Sequence, residues 1–273
     1  MRLVKSQLAH CLALFDVMSD ATRAHRLTDL AQRLDMPKSS VQRLLDHLAG
    51  EGWIEQDAVT GHYRLSLRLA ALGQRYMQTA GIADATQGIL EKVARETGEL
   101  ARLTVVDRDR LVWIGSAQGA PAGLVYQPSM GGEIVAHATA NGKAWLATLS
   151  DEDACAIALG EGLGRARGRV GPRAIASVDA LLAELGDVRQ RGFAMVEEEA
   201  EAGVAAVAVA IRDPHSGRAL GTTSVAGPVV RMQAARRRAV ADLLAIAALE
   251  LARVWPLART AGAEPALQQT GSA

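Results

Sequence analysis

The chain has 273 residues, 49% of them hydrophobic and 22% charged, with 30 Lys/Arg balanced by 30 Asp/Glu. That length and apolar content support two domains with real cores rather than one, and zero net charge excludes nucleic-acid binding driven by global basicity. Two cysteines, Cys11 and Cys155, exclude a disulfide framework or closely spaced metal motif and fit a reducing compartment.

In chain order, Leu8, Leu12, Phe15 and Val17-Met18 mark an opening helix that ends near Ser19-Asp20. Thr28 is placed to cap a second helix through Leu34. Asp35-Met36-Pro37 breaks it, and Pro37 suits the first position of a third helix. There Val41, Leu44, Leu45 and Leu48 recur at helical spacing, so one stripe is buried. The other face carries Lys38, Ser39, Gln42, Arg43 and His47, with Ser40 at its edge: donors that can reach phosphate oxygens and base edges in a major groove. Gly50 and Gly52 end the helix. Trp53-Ile54-Glu55 and His62-Tyr63-Arg64-Leu65 read as strands around a turn at Thr60-Gly61. Helix, turn, helix, then hairpin is the pattern of a winged helix-turn-helix. The bland alternative is a helical hairpin with a solvated polar face. The order of parts favours DNA, because the polar cluster opens the second helix of the motif and a compact wing follows at once.

The charge distribution adds a mild bias. Residues 1–80 carry ten Lys/Arg against eight Asp/Glu, net +2, and the remainder is net −2; His10, His25, His47 and His62 all lie in the first part. Non-specific affinity per protomer is therefore expected to be weak, with useful affinity coming from dimerisation and specific contacts.

Ser66 to Ala80 is again helical, with Leu67, Ala70, Ala71 and Gln74 at helical spacing. It reads as a linker and part of a dimer seam, or as ordinary domain packing. Residues 82–98 form a helix that Thr97-Gly98 stops. The period then changes: Arg102 to Val106 and Leu111 to Ile114 are strands across a turn at 107–110, and Gly123 to Gln127 is a candidate third strand. His137 to Leu149 reads as a helix, Glu152 to Leu159 as a short continuation, and 160–172 as a basic, loop-rich stretch. Ser177 caps a helix closed by Arg191-Gly192. Val204 to Ile211 and Arg218 to Val225 are strands, and Met232 to Trp255 is a long helix. The tail after Pro256 is expected to be disordered. The second domain is thus α+β, with antiparallel strands under helices. The first residues lack a signal-peptide core, and no apolar run reaches the roughly 18 residues of a membrane span, so a soluble, cytoplasmic protein is expected.

Catalytic templates mostly fail. Gly142-Lys143 imitates the end of a phosphate loop, but Ala144 replaces its Ser/Thr and His137 its first Gly. Gly160-x-Gly162-x-Gly164 follows no strand, which argues against a dinucleotide site. Glu197-Glu198-Glu199 with Glu201 offers paired carboxylates but reads first as a solvated strand end, and Arg236-Arg237-Arg238 as a wet helix face. Trp113, Tyr126 and Trp145 read as core before pocket lining. No catalytic residue, metal or cofactor is expected.

Taken together, the motifs resemble the IclR (isocitrate-lyase regulator) family of bacterial transcription regulators over about residues 5–255. The resemblance is carried by Leu30-Ala31, the Pro37–Leu45 segment and Gly61-His62-Tyr63-Arg64-Leu65, then His137 to Ala144, Arg191-Gly192-Phe193, Glu198-Glu199 with Gly203, and Ser224 to Pro228 with Arg231. It implies a winged helix-turn-helix over 1–65, a linker helix over 66–81, and a GAF-like effector-binding and oligomerisation domain over 82–255. It also implies homodimers or tetramers on palindromic operators. Lys38, Ser39, Ser40, Gln42, Arg43, His62 and Arg64 are then the DNA-contacting set, with Ser39, Ser40, Gln42 and Arg43 on base edges. The effector positions implied are Ala140 and Asn141, through backbone amides, with Val196, Ala206, Ser224 and Ala226 on strands. His137 is either a donor to an effector carboxylate or a structural histidine. Ser224 keeps the first serine of the family's Ser-x-Ser-Gly-Pro pattern and Ala226 lacks the second. Val196 and Ala206 stand where some relatives place a carboxylate and a cysteine. A pocket with so few polar partners should favour a larger or more apolar effector over a small, very polar acid. Two other classes compete: a metabolite-processing enzyme with the N-terminal helices as an accessory, and a protein-interaction module.

Overall fold

The computed structural model describes residues 6–19, 24–79, 82–128, 134–165 and 169–255; the expected disordered tail after Pro256 lies outside them. The chain divides into two compact units, Met1–Thr79 and Ala80–Ala273.

In the first unit, α1 (Gln7–Ser19), α2 (Leu27–Leu34) and α3 (Lys38–Gly50) precede a hairpin of β1 (Ile54–Gln56) and β2 (Tyr63–Leu65). Leu14, Met18, Leu30, Ala31, Val41, Leu44, Leu45, Ile54 and Tyr63 form its core. Of the residues that mark α1 in the sequence, Met18 is buried but Leu8 and Leu12 are exposed, and the deepest position is Leu14, which is not among them. Two helix starts also move. Arg26, not Thr28, is the N-cap of α2, and the Thr28 hydroxyl instead donates to Asp29 Oδ1 at 3.2 Å. Pro37 precedes α3 as its N-cap, in extended backbone, and its carbonyl accepts from the Ser40 and Val41 amides. The proline ring excludes the amide that a true first turn leaves unpaired anyway, so one position of shift costs nothing. The hairpin is tied to the core at His25, whose backbone exchanges hydrogen bonds of 2.7 and 2.8 Å with Tyr63. Its turn is closed by Asp57, whose Oδ1 accepts from the Val59 amide and from the amide and hydroxyl of Thr60. Next comes α4 (Leu67–Thr79), a helix with no buried residue.

In the second unit, α5 (Ile82–Thr97) leads into β3 (Leu100–Asp107) and β4 (Arg110–Gln118). A 3-10 turn (Ala136–Ala138), α6 (Ala140–Leu146), α7 (Asp151–Gly160) and α8 (Val178–Arg191) follow. Then come β5 (Ala194–Glu197), β6 (Val204–Arg212), β7 (Ala219–Pro228) and α9 (Ala234–Val254). The five strands form one antiparallel sheet in the order β4-β3-β7-β6-β5. Strand alternation sends Leu103, Val207, Val209, Ile211 and Val225 to one face, in a cluster with Leu90, Val93, Leu244 and Leu251 of α5 and α9. The opposite face carries Ala194, Val196, Ala206, Ala208 and Ala226, in a cluster with Ala140, Ala144 and Trp145 of α6 and Leu181 and Leu185 of α8.

Three expectations change here. Gly123–Gln127 forms no strand; the segment beside β4 is held by side chains instead, with Gln118 Nε2 donating to the Tyr126 carbonyl (3.0 Å) and Arg231 Nη1 to that of Leu124 (2.8 Å). The helix expected over 137–149 is split, because Thr139 turns extended and caps α6 by accepting from the Gly142 amide. Strand β5 has no clear signature in the sequence. At four residues, with only Val196 and Ala194 buried, its alternation is too short to stand out.

Gly142 sets how close the 3-10 turn comes to α6: a Cβ there would sit 2.2 Å from the Cα and carbonyl oxygen of Ala136. Helix propensity alone makes Gly142→Ala a gain of about 1 kcal/mol. Backbone collision reverses the sign, and urea denaturation of Gly142→Ala should show a loss of about 2 kcal/mol or more.

Candidate functional site

In the first unit, α3 presents Lys38, Ser39 and Arg43 to solvent, with Ser40 half-buried beside them. Leu44 and Leu45 on the reverse side hold the helix to the core, so its outward rotation is dictated by the buried stripe. Gln42 behaves differently from its neighbours. It is half-buried, its amide donates to Asp46 Oδ1 at 2.7 Å, and it bonds the hydroxyl of buried Tyr63 at 3.0 Å. Its side chain joins α3 to the hairpin. At the hairpin, His62 Nε2 accepts from Arg26 Nε at 3.3 Å, and Arg64 pairs with Glu55 at 2.7 Å across the two strands. Arg68 at the start of α4 lies 4.4 Å from the centre of the Trp53 ring and donates to the Glu51 carbonyl. Arg26 and Arg68 thus stand at the hairpin, and no local sequence signal marks them, since their partners are 36 and 15–17 residues away.

In the second unit, strand register gathers the strand positions named from sequence. Val196 pairs with Ala206, Ala206 with Ala226 and Ala226 with Leu100, one row across the sheet. The next row on that face runs Ala208, Ser224, Arg102 and Ser116. The third brings Thr222 beside Thr104, whose hydroxyls lie 2.6 Å apart, and Asn141 Nδ2 of α6 donates to Thr222 Oγ1 at 2.8 Å. Ala140 belongs to the same cluster. His137 does not join these rows: it is buried in the 3-10 turn with Nδ1 3.5 Å from Glu161 Oε2, and that oxygen accepts from the Ala136 amide.

Arg102 is the residue of this face that sequence reading passed over. It is 7% exposed, yet no carboxylate among the described residues lies within ion-pair distance, and its Nε makes no hydrogen bond. Its guanidinium carbon sits 3.4 Å from the centre of the Trp113 ring. Burial pushes its pKa down to about 10, partly offset by attraction to Tyr126. Burial likewise raises the Tyr126 phenol to about 12, reinforced by Glu201, whose Oε2 accepts from that hydroxyl at 3.1 Å. The available signal was a charged residue inside the β-rich run Arg102 to Val106.

The acidic run is not a solvated strand end. Glu197 pairs with Arg237 at 2.7 Å and with Arg173, Glu198 with Arg173 at 3.2 Å, and Glu199 receives two bonds of 2.6 and 2.7 Å from the fully buried Lys143. Hydrogen bonding from Arg237, with the charge of Arg173, holds the Glu197 carboxyl below its ordinary range. Arg237 is correspondingly no wet surface residue, its side chain being 14% exposed. Local sequence could not reveal these pairings, which join β5 and the chain after it to α6 and α9. Among the described residues no cluster of His, Cys, Asp and Glu could hold a metal ion, and no helix is long and apolar enough to cross a membrane.

Known proteins share both halves of this arrangement. The model of the IclR helix-turn-helix domain matches residues 7–58, and that of the bacterial transcriptional regulator IclR C-terminal domain matches 74–253. The transcriptional regulator BhcR of Paracoccus denitrificans is 32% identical over 82% of this chain and 78% of its own. The crystal structure of an IclR transcriptional regulator from Alicyclobacillus acidocaldarius superposes with a TM-score of 0.79 at 25% identity, covering 91% of this chain and 98% of that one. An IclR homologue from Microbacterium hydrocarbonoxydans, complexed with 4-hydroxybenzoate, shares the fold at 22% identity, with a TM-score of 0.72 over 91% of this chain and 98% of its own.

Lys143 and Glu199 generate a stability prediction. Glu199→Gln leaves a buried ammonium without its counter-charge and should cost about 3–5 kcal/mol in urea denaturation. Lys143→Met combined with Glu199→Leu should recover most of that loss, a coupling that a double-mutant cycle measures directly.

Proposed function

The chain belongs to the IclR family of bacterial transcriptional regulators, and from that premise we propose that it binds a palindromic operator as a homodimer or tetramer and releases or grips it in response to a small metabolite, an organic acid or aromatic compound. It is a regulator with a helix-turn-helix domain and a C-terminal effector domain, and its relatives are named transcriptional regulators rather than enzymes. Residues 1–65 read DNA, 66–81 link, and 82–255 bind effector and oligomerise.

The observation that supports the DNA reading is the outward face of α3. Lys38, Ser39 and Arg43 are exposed on a helix whose other side is locked into the core, and a hairpin follows. Ser39, Ser40 and Arg43 reach base edges; Lys38, His62 and Arg64 contact phosphate or the minor groove. Gln42, already bonded to Tyr63 and Asp46, contributes to base reading from a fixed position. Self-association is supported by α4, which buries nothing in its own unit while Leu67, Leu72 and Tyr76 are exposed. On the effector side, Val196, Ala206, Ser224 and Ala226, with Ala140 and Asn141 above them, make a face of small residues suited to an acid with an apolar body. A solved relative's complex with 4-hydroxybenzoate supports that class. Effector binding acts by favouring one arrangement of protomers over another, since equal affinity for both shifts nothing.

Fluorescence anisotropy against the chain's own upstream intergenic DNA, with excess competitor and at two salt concentrations, tests the reading. Specific, salt-sensitive binding is the expected result; failure across a genome-wide fragment selection, with and without metabolite extract, overturns it. In the same assay Arg43→Ala should weaken specific binding by roughly 1–3 kcal/mol and change non-specific binding little. Equal losses on both would make Arg43 a phosphate contact.

A further inference from the structure

We propose that Arg102 grips the effector's anionic group, and that the effector is an aromatic monocarboxylate laid along the small-residue rows beside it. This deepens the effector reading above and rests on it.

The argument begins with the other buried charges of the unit. Glu99, 1% exposed, is met by Arg231 through Nε and Nη2 at 2.6 and 2.7 Å, and Lys143 is met by Glu199. Each buried charge has a partner at hydrogen-bond distance, as the cost of desolvation demands. Arg102 differs from both: it is 7% exposed, its Nε is buried without a hydrogen bond, and it has an aromatic ring but no carboxylate partner among the described residues. A guanidinium stacked on an indole is held by the ring face and keeps its in-plane N–H groups free for an acceptor. Those donors suit a carboxylate, which two parallel N–H bonds can engage.

Position supports the same role. Arg102 stands on the face that carries the effector positions, directly beside Ser224 in register, with Ala208 next in the row. Ala206 and Ala226 occupy the adjoining row, so nothing larger than serine, alanine or threonine flanks the guanidinium along β7 and β6. Trp113, Ala226, Ala206 and Val196 belong to the apolar cluster of this face, the surroundings a ring would pack among. Charge count selects the class of anion. One unpaired cation neutralises one negative charge. A dianionic phosphate would keep a second charge out of water, with Lys143 already committed to Glu199.

Wild type, Arg102→Met and Ala206→Val are compared by calorimetric titration with benzoate and with benzamide, its uncharged isostere. Benzoate is expected to bind wild type and to bind Arg102→Met roughly 10- to 100-fold more weakly, the loss of a charge-assisted pair, with benzamide weak on both. A melting curve without ligand supplies a second readout. Removing an uncompensated buried charge should leave Arg102→Met melting no lower than wild type, whereas a purely structural arginine would make it melt lower and overturn the proposal. Benzoate binding that survives Arg102→Met but is lost in Ala206→Val overturns the role of Arg102 and leaves the effector face standing. Binding unchanged by either variant overturns both. No benzoate binding to wild type overturns the assignment of an aromatic monocarboxylate.

Discussion

A charge removed from water must meet an opposite charge, and the C-terminal unit is arranged around that requirement. Glu99 lies against β7, and Arg231, three residues beyond the end of that strand, closes on it with two short bonds. Lys143 reaches from α6 to Glu199 beyond β5. These pairs fasten the ends of the sheet to elements far away in the chain. They also account for residue choices that would otherwise look arbitrary. Gly227 has no side chain because a Cβ would lie 2.4 Å from the Glu99 carboxylate. Glu197 and Glu198 extend the same logic outward, to Arg237 on α9 and to Arg173.

The sheet between these fastenings is asymmetric by alternation alone. Along β6 the odd positions Val207, Val209 and Ile211 pack on α5 and α9, and the even positions Ala206 and Ala208 face α6 and α8. Along β7, Val225 takes the first face while Thr222, Ser224 and Ala226 take the second. One face is therefore a core of bulky branched side chains, and the other is buried under α6 and α8 with small and hydroxylated strand residues and Arg102 among them.

In the N-terminal unit the corresponding organiser is Tyr63. Its backbone pairs with His25, its ring lies in the core and its hydroxyl meets Gln42 on α3. One residue thus couples the hairpin to the helix that presents Arg43, so the helix face and the hairpin are held by a shared buried contact. Gln42 serves that coupling as well as the outward face it was read on.

Periodicity and turn chemistry determined the element order, because helical recurrence in α3, strand alternation in β6 and stop signals such as Gly98 and Gly192 are local properties of the chain. The motif order likewise carried the family. Tertiary structure decided what depends on contacts distant in sequence. It determined that the Glu197–Glu199 run is paired, that Leu8 and Leu12 of α1 stay exposed, that Gly123–Gln127 is held by side chains, and that His137 faces Glu161. Arg102 is the sharpest case. An arginine within a β-rich run reads as an outward-facing residue, and only the packing of the sheet reveals it as buried, stacked on Trp113 and short of a counter-charge. Burial and pairing are properties of the assembled sheet, since they depend on strands more than a hundred residues apart meeting in one register.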